Sequence, residues 1–466
     1  MTIQSQYNKV TDEVIALLIN IVGEKNVLTG DDEVKDYSRD EMVGMELFPP
    51  EVVVKPGSSG EVSKILELAN RRIIPVTPRG RGTGLSGGAV PVHGGIVLSL
   101  ERMDKIIEID TGNFTADVEA GVMLSDLYQA VAEQGLYYPL YPGEPSAAIG
   151  GNVATNAGGT RAVKYGVTRH YVLGLEAVLP SGEIVKTGGK FVKSSTGYDL
   201  TQLITGSEGT LAVVTRVLLK LVPPPGKMEI LFVPFNNLHD AIHSVPDILK
   251  RGILPVGIEF MQQDIIKMTE EFMGKEIPMN NYEAYLMIIV EGDDEAEIQR
   301  WAEEIGGICL DGGAIDVFLA GSEKVRSELL DFRGKFYYAL QHFGMIDHSD
   351  VTVPRSKIAE LVETVKKIGD EYGIKVMAVG HAGDGNVHLA IMGKGEEWIE
   401  EKAEELMKRM FEVGVSLGGT ISGEHGLGYA KKEYLGMVAS PGKVELMKRI
   451  KQAFDPNGIM NPGKVF

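Results

Sequence analysis

The chain has 466 residues, 44% of them apolar and 24% charged, and a formal net charge of −19. That length exceeds one ordinary core and predicts two or three domains; the negative charge argues against a nucleic-acid or anionic-membrane surface, both of which want Lys and Arg. A single cysteine, Cys309, can close no internal disulfide and hold no iron–sulfur cluster, so any electron carrier is organic or sits on a partner.

The opening MTIQSQYNKVTDEVIALLINIVG has no basic n-region and carries Asp12 and Glu13 ahead of its apolar run, which reads as an amphipathic surface helix rather than a signal peptide. No apolar run approaches the ~20 residues of a membrane span, and a cytoplasmic location is expected. Strands are expected at 52–55, 73–77 and 96–99, with a helix over 59–72. IIEID and TADVEAG continue as strands, followed by a helix near 124–135 and a hairpin over 172–188 that turns at Ser181-Gly182. A strand within 209–222 runs into Pro-Pro-Pro-Gly at 223–226, the clearest domain boundary. Beyond it, strands EILFVPF and AYLMIIVEG alternate with helices at 237–251 and 295–305, and helices follow at 322–343, 357–372 and 396–417. The Pro/Gly-rich tail FDPNGIMNPGKVF would fray unless packing ties it down. The expected division is 1–222, 223–417 and 418–466.

Glycine numbers 57 and is clustered, which marks backbone that something approaches closely, or else a series of ordinary turns. PVTPRGRGTGLSGGAVPVHGGIVLSL contains Gly82-x-Gly84-x-x-Gly87, the dinucleotide fingerprint, but the residues that follow, Ala89 to Gly95, start no helix and lead into another strand, so the Rossmann reading fails on context. Consecutive glycines can instead turn backbone N–H groups into one concavity for anionic oxygens, with Arg79 and Arg81 adding charge at its rim. The small residues of 141–166 suit a flat cofactor lying along backbone.

GHAGDGNVHLAI (380–391) places Asp384-Gly385 between two histidines. A two-residue type I′ turn there makes His381 and His388 direct cross-strand partners, with Cβ atoms roughly 5 Å apart. Such a pair can share a divalent ion or simply pack; a carboxylate is the usual further ligand, and SGEHGLG offers Glu424 with His425 beside it.

PRGRGTGLSGGAVP, GGNVATNAGGTRAVKYG, TGSEGTLAVVT, GHAGDGNVH, SGEHGLG and NPGK, in this order, resemble the FAD-linked D-2-hydroxyacid dehydrogenases, the family of D-lactate dehydrogenase and the glycolate oxidase catalytic subunit. The resemblance implies an α+β fold, with a vanillyl-alcohol-oxidase/PCMH-type FAD-binding domain and an α+β cap domain for substrate. It implies a pyrophosphate loop at Pro78, Arg79, Gly80, Arg81, Gly82, Thr83, Gly84, Leu85 and Ser86. The rest of the FAD would lie along Glu144, Pro145, Ser146, Ile149, Gly150, Gly151, Asn152, Thr155, Asn156, Gly158, Gly159 and Gly166. Glu208, Gly209 and Val213 would meet the adenine end, and Asn461 would return to the flavin. No histidine lies between Arg79 and Ala89, so the FAD is expected to be non-covalent.

By the same resemblance His381, His388 and Glu424 hold a divalent metal (Fe, Zn or Mn), His425 is the base and Arg333 clamps the substrate carboxylate. His348 stands where hydroxyglutarate-type relatives carry a lysine, as a further ligand or substrate contact. The implied activity is oxidation of a D-2-hydroxy acid, D-lactate foremost, by hydride transfer to flavin N5. Electrons would pass to an acceptor protein such as an electron-transfer flavoprotein. Alternatives are a glycolate-oxidase-type subunit feeding an iron–sulfur partner, a non-catalytic flavin-binding subunit, and a metal hydrolase that leaves the first half unexplained.

Overall fold

The computed structural model describes residues 7–277, 281–393 and 395–466. The chain forms two compact units. The first comprises Met1–Ala157, Val167–Pro224 and Glu424–Phe466; the second comprises Gly158–Gly166 and Pro225–Gly423. The Pro-rich break thus falls at the crossing, whereas the short excursion at 158–166 was not expected. The tail rejoins the first unit from Glu424 rather than 418.

Two sheets build the first unit. One has four strands in the order Val27–Leu28, Val52–Val54, Ile96–Ser99, Val76–Arg79, of which the last three run parallel. Helix Ser59–Arg72 provides the crossover: Ser58 Oγ caps its first turn, and Val62, Ile65, Leu66 and Ala69 recur at helical spacing to bury one face. The strand expected at 73–77 begins later, because Ile73 ends the helix with a left-handed φ of 51°. The second sheet is antiparallel, ordered Ile106–Asp110, Thr115–Glu119, Val213–Lys220, Val172–Val178, Ile184–Gly188. N-terminal helix Asp12–Val22 covers the first sheet through Val14, Leu18 and Val22; residues 1–6 of the expected helix lie outside the described residues.

The second unit is one antiparallel sheet of seven strands, ordered Phe318–Leu319, Lys227–Phe235, Ala284–Gly292, Gly257–Gln262, Val376–His381, Asn386–Met392, Met345–Thr352. Strands 257–262 and 345–352 were not anticipated, nor were helices Gln263–Met273 and Pro441–Phe454. The expected helix 322–343 is two, Glu323–Gly334 and Phe336–His342. Among the described residues, no helix is long and apolar enough to cross a membrane.

The tail is tied down inside the first unit. Met460 forms a parallel bridge with Val76, and Asn461 N–H donates to Val76 O. Lys451 Nζ donates to Asp455 Oδ2 (2.5 Å), Thr210 O (2.7 Å) and Met460 O (2.8 Å), with the Asp455 side chain fully buried. Removing one partner of such a pair strands the other charge. Lys451→Met is expected to cost about 3–5 kcal/mol of stability, measured by urea unfolding; an unchanged midpoint would dismiss this ion pair as the anchor.

Candidate active site

In the first unit, strand Val76–Arg79 runs into the loop from Gly80 to Gly88, and no helix follows. No backbone N–H from Gly80 to Gly88 donates to a protein acceptor among the described residues. The loop is only partly buried, and N–H groups not spent on protein acceptors are available to water or to a multiply charged anionic group. Close packing fixes the path: a Cβ at Gly80 would lie 2.9 Å from Ala148 Cβ, and Gly82 has a φ of 73°.

Arg79 corrects one expectation. It is buried, and its guanidinium donates to Arg39 O (2.8 Å), Asp36 O (3.1 Å) and Ala89 O (3.5 Å). It braces the loop from behind instead of standing at the rim, because a guanidinium taken out of water must satisfy its fork of donors. Arg81 is exposed. Ile149 to Thr155, with Gly150, Gly151 and Asn152, forms a short helix ended by Asn156 at φ 53°. Pro145, Ser146 and Glu144 lead into it, with Ser146 Oγ donating to Glu144 Oε1 at 2.6 Å. Gly158, Gly159 and Gly166 fall in the second unit.

Glu208 is half-buried, at φ 52°. Its carboxylate accepts from Leu427 N–H (2.9 Å) and Gly428 N–H (2.7 Å). Burial raises its pKa, and those two N–H groups pull it back. Glu208 therefore anchors the SGEHGLG segment, together with Ser86, whose Oγ donates to His425 O (3.2 Å) and Gly426 O (3.1 Å). Val213 is core, and Gly209 lets the turn pass Pro78. Asn461 donates from Nδ2 to Gly88 O (2.9 Å) and Glu208 O (2.8 Å), while its buried Oδ1 has no partner among the described residues. A buried amide oxygen left open beside free N–H groups fits a cofactor that brings its own donors.

In the second unit the two histidines meet, but not in the expected register. His381 pairs with Asn386, and His388 with Val379. The turn holds four residues, Ala382 to Gly385, with the N–H groups of Asp384 and Gly385 both directed to His381 O. A Cβ on Gly385, at φ 95°, would collide with Val353 O. A shift of two residues keeps every side chain on its face, since the strand period is two. The histidines are therefore diagonal neighbours, with Nε2 atoms 3.3 Å apart. Two nitrogens bound to one tetrahedral ion at ~2.0–2.1 Å would stand at about that separation. One ligand atom from each of His381, His388 and Glu424 lies within 4.8 Å of the others. Glu424 is brought there by its peptide bond to Gly423, whose N–H is held by buried Asp350 (2.8 Å to Oδ2) along with Ser422 Oγ (3.1 Å to Oδ1). His425 Nε2 lies 3.9 Å from Glu424 Oε1.

Sequence reasoning missed Glu259, which organises this group. It has no exposed side-chain surface; Oε1 lies 2.6 Å from His381 Nδ1, and Oε2 accepts from Arg333 Nε (2.8 Å) and Nη2 (2.7 Å). Burial would raise its pKa, but His381 and Arg333 overcome that and hold it below the usual carboxylate range. With Nδ1 donating to the carboxylate, the His381 Nε2 lone pair is turned toward His388, as a metal ligand requires. The available signal was one acid in the apolar run GIEFMQ. Asp350 was missed as well, an acid facing inward on strand 345–352. His348 lies outside the ligand group and stacks on His388, with centroids 5.7 Å apart and planes at 14°.

A loop of free N–H groups and a carboxylate-braced histidine pair on one chain define a flavoprotein oxidoreductase once the comparisons are added. The family profile "FAD binding domain" matches residues 50–188, and "FAD linked oxidases, C-terminal domain" matches 224–465. The chain is 41% identical to a D-lactate dehydrogenase of Anaerostipes hadrus, covering 99% of this chain and 98% of that one. It is 45% identical to a D-lactate dehydrogenase of Archaeoglobus fulgidus (89% and 91%) and 39% identical to glycolate oxidase subunit GlcD of Bacillus subtilis (98% and 97%). A 4-ethylphenol oxidase from Gulosibacter chungangensis shares the fold at TM-score 0.78 and 22% identity, covering 98% of each chain. p-Cresol methylhydroxylase also matches at TM-score 0.78, with 18% identity over 97% and 96%. The chain belongs to the FAD-linked oxidase family, in the group of the D-lactate dehydrogenases and glycolate oxidase catalytic subunits, and its FAD domain is of the PCMH type.

Gly82 tests the loop. A Cβ there would collide with the fixed Arg79 guanidinium. Gly82→Ala is expected to carry about 1–3 kcal/mol of local strain and to purify with a reduced ratio of flavin to protein absorbance. Full flavin content would show that the loop does not carry the cofactor.

Proposed function

We propose that this enzyme oxidises a D-2-hydroxy acid, D-lactate foremost, to the 2-oxo acid, with metal assistance. The carrying observation is that the carboxylate-binding candidate Arg333 and the ligand candidate His381 share one buried acid, Glu259, on a chain of the FAD-linked oxidase family. Two relatives at 41% and 45% identity are D-lactate dehydrogenases, which favours lactate. FAD, held non-covalently, supplies hydride acceptance at N5, and a divalent cation, Fe, Zn or Mn, supplies Lewis acidity toward the 2-hydroxyl.

The chain's own residues do the remainder. Arg333 binds the substrate carboxylate with the N–H groups not turned to Glu259. His381, His388 and Glu424 hold the cation. His425, beside Glu424 and only 11% exposed, accepts the hydroxyl proton as general base. His348 and its stacked partner His388 wall the substrate. Electrons leave to a separate acceptor such as an electron-transfer flavoprotein, since one cysteine cannot hold a cluster. Glycolate is the second reading, favoured by the 39% identity to GlcD.

The test is an anaerobic visible spectrum. D-Lactate should bleach the flavin bands and L-lactate should not; persistent bands with D-lactate, glycolate and added divalent metals would overturn the proposal. Stripping metal with a chelator should slow bleaching and leave the flavin bound, whereas an unaffected rate would remove the metal from the reaction. His425→Ala should keep its FAD and lose about 10²–10⁴-fold in turnover; undiminished turnover would remove it from the base role.

A further inference from the structure

We propose that Glu259 is a positioning residue that sets substrate specificity, by holding the carboxylate-binding arginine and the metal-ligating histidine at a fixed separation suited to 2-hydroxy acids. The inference rests on the function proposed above and extends it to a residue that touches neither substrate nor cofactor.

Glu259 lies on strand Gly257–Gln262, all of it buried, directly opposite His381 in the antiparallel pair with Val376–His381. Its two oxygens are divided: one takes His381 Nδ1 at 2.6 Å, and the other takes both Nε and Nη2 of Arg333. Neither contact is loose, because a carboxylate without exposed surface has no water to exchange with. Arg333 is held from its other side by the Phe336 ring, 5.1 Å from Cζ. The guanidinium and the imidazole are thus locked to the two ends of one carboxyl group.

A 2-hydroxy acid carries its carboxylate and hydroxyl on adjacent carbons, whereas a 3-hydroxy acid has one more carbon between them. A rigid separation between the group that grips the carboxylate and the group that holds the cation recognises one spacing and rejects the other. The same carboxylate fixes the His381 tautomer, which ties metal affinity to substrate affinity through one side chain.

Two variants test this in the full flavoprotein. Glu259→Gln keeps the volume but removes the charge. It is expected to weaken Zn²⁺ binding to metal-stripped protein about 10–100-fold by equilibrium dialysis, and to raise KM for D-lactate together with that loss. Glu259→Asp keeps the charge but retracts it by one methylene. It is expected to retain Zn²⁺ and to narrow the preference for D-lactate over D-3-hydroxybutyrate, the latter measured as a competitive inhibitor. Glu259→Gln that binds Zn²⁺ and D-lactate like the parent would overturn the proposal. So would Glu259→Asp with unchanged preference, and that variant carries the test alone if the glutamine variant fails to fold. Parent protein that neither binds a divalent metal nor is reduced by any 2-hydroxy acid would instead overturn the functional reading, and this inference with it.

Discussion

A carboxylate without access to water must be neutralised by its neighbours, and Glu259 imposes that requirement on the whole second unit. Burying an unpaired ion costs several kcal/mol, more than most single contacts return. Strand Gly257–Gln262 can therefore occupy the sheet interior only where two cationic or proton-donating groups reach it. One comes from the neighbouring strand at His381. The other comes from the last turn of helix Glu323–Gly334, where a positive charge is also favoured by the helix dipole. The neighbouring strand and the end of that helix thus both supply partners to one acid. Replacing such a buried ion network by apolar residues of equal volume is often neutral or stabilising, so its presence is no argument for stability.

The first unit meets a different requirement, that of leaving donors unused without collapsing. The loop from Gly80 to Gly88 could fold on itself and pair its N–H groups. It is prevented by supports on two sides: the Arg79 guanidinium, bonded to three carbonyls, and the segment after Glu424, latched by Ser86 and Glu208. Residues that resemble cofactor contacts in the sequence thus divide into two kinds. Some leave backbone N–H groups unspent, and others, such as Arg79 and Glu208, use their side chains to hold neighbouring backbone in place.

Much of this was legible in the sequence, for identifiable reasons. Helix Ser59–Arg72 carries its own cap and an uninterrupted apolar face, so local signals fix both ends. The failure of Gly82-x-Gly84-x-x-Gly87 as a Rossmann fingerprint was readable from the run Ala89 to Gly95, which leads into a strand. The two histidines were found, but their register was not, because an Asp-Gly pair serves a four-residue turn as well as a two-residue one. The close approach of Val353 O, which leaves no room for a Cβ at Gly385, is a tertiary fact. Glu259 and Asp350 escaped notice because a buried acid is recognisable only when its strand is known to be interior. Nothing local distinguishes Arg79 from Arg81; what separates them is the trio of carbonyls that folding gathers around one of them.

The bridge between Met460 and Val76 also orders events in time. During synthesis the strand at Val76 and its glycine loop emerge early, yet the strand's partner in the tail is encoded hundreds of residues later. Most of the second unit, Pro225–Gly423, leaves the ribosome before the first unit can be closed. Until Asn461 is out, Val76 lacks its partner strand in the tail, although Arg79 can already brace the loop through residues 36, 39 and 89. Closure of the first unit is thereby postponed until the second has emerged.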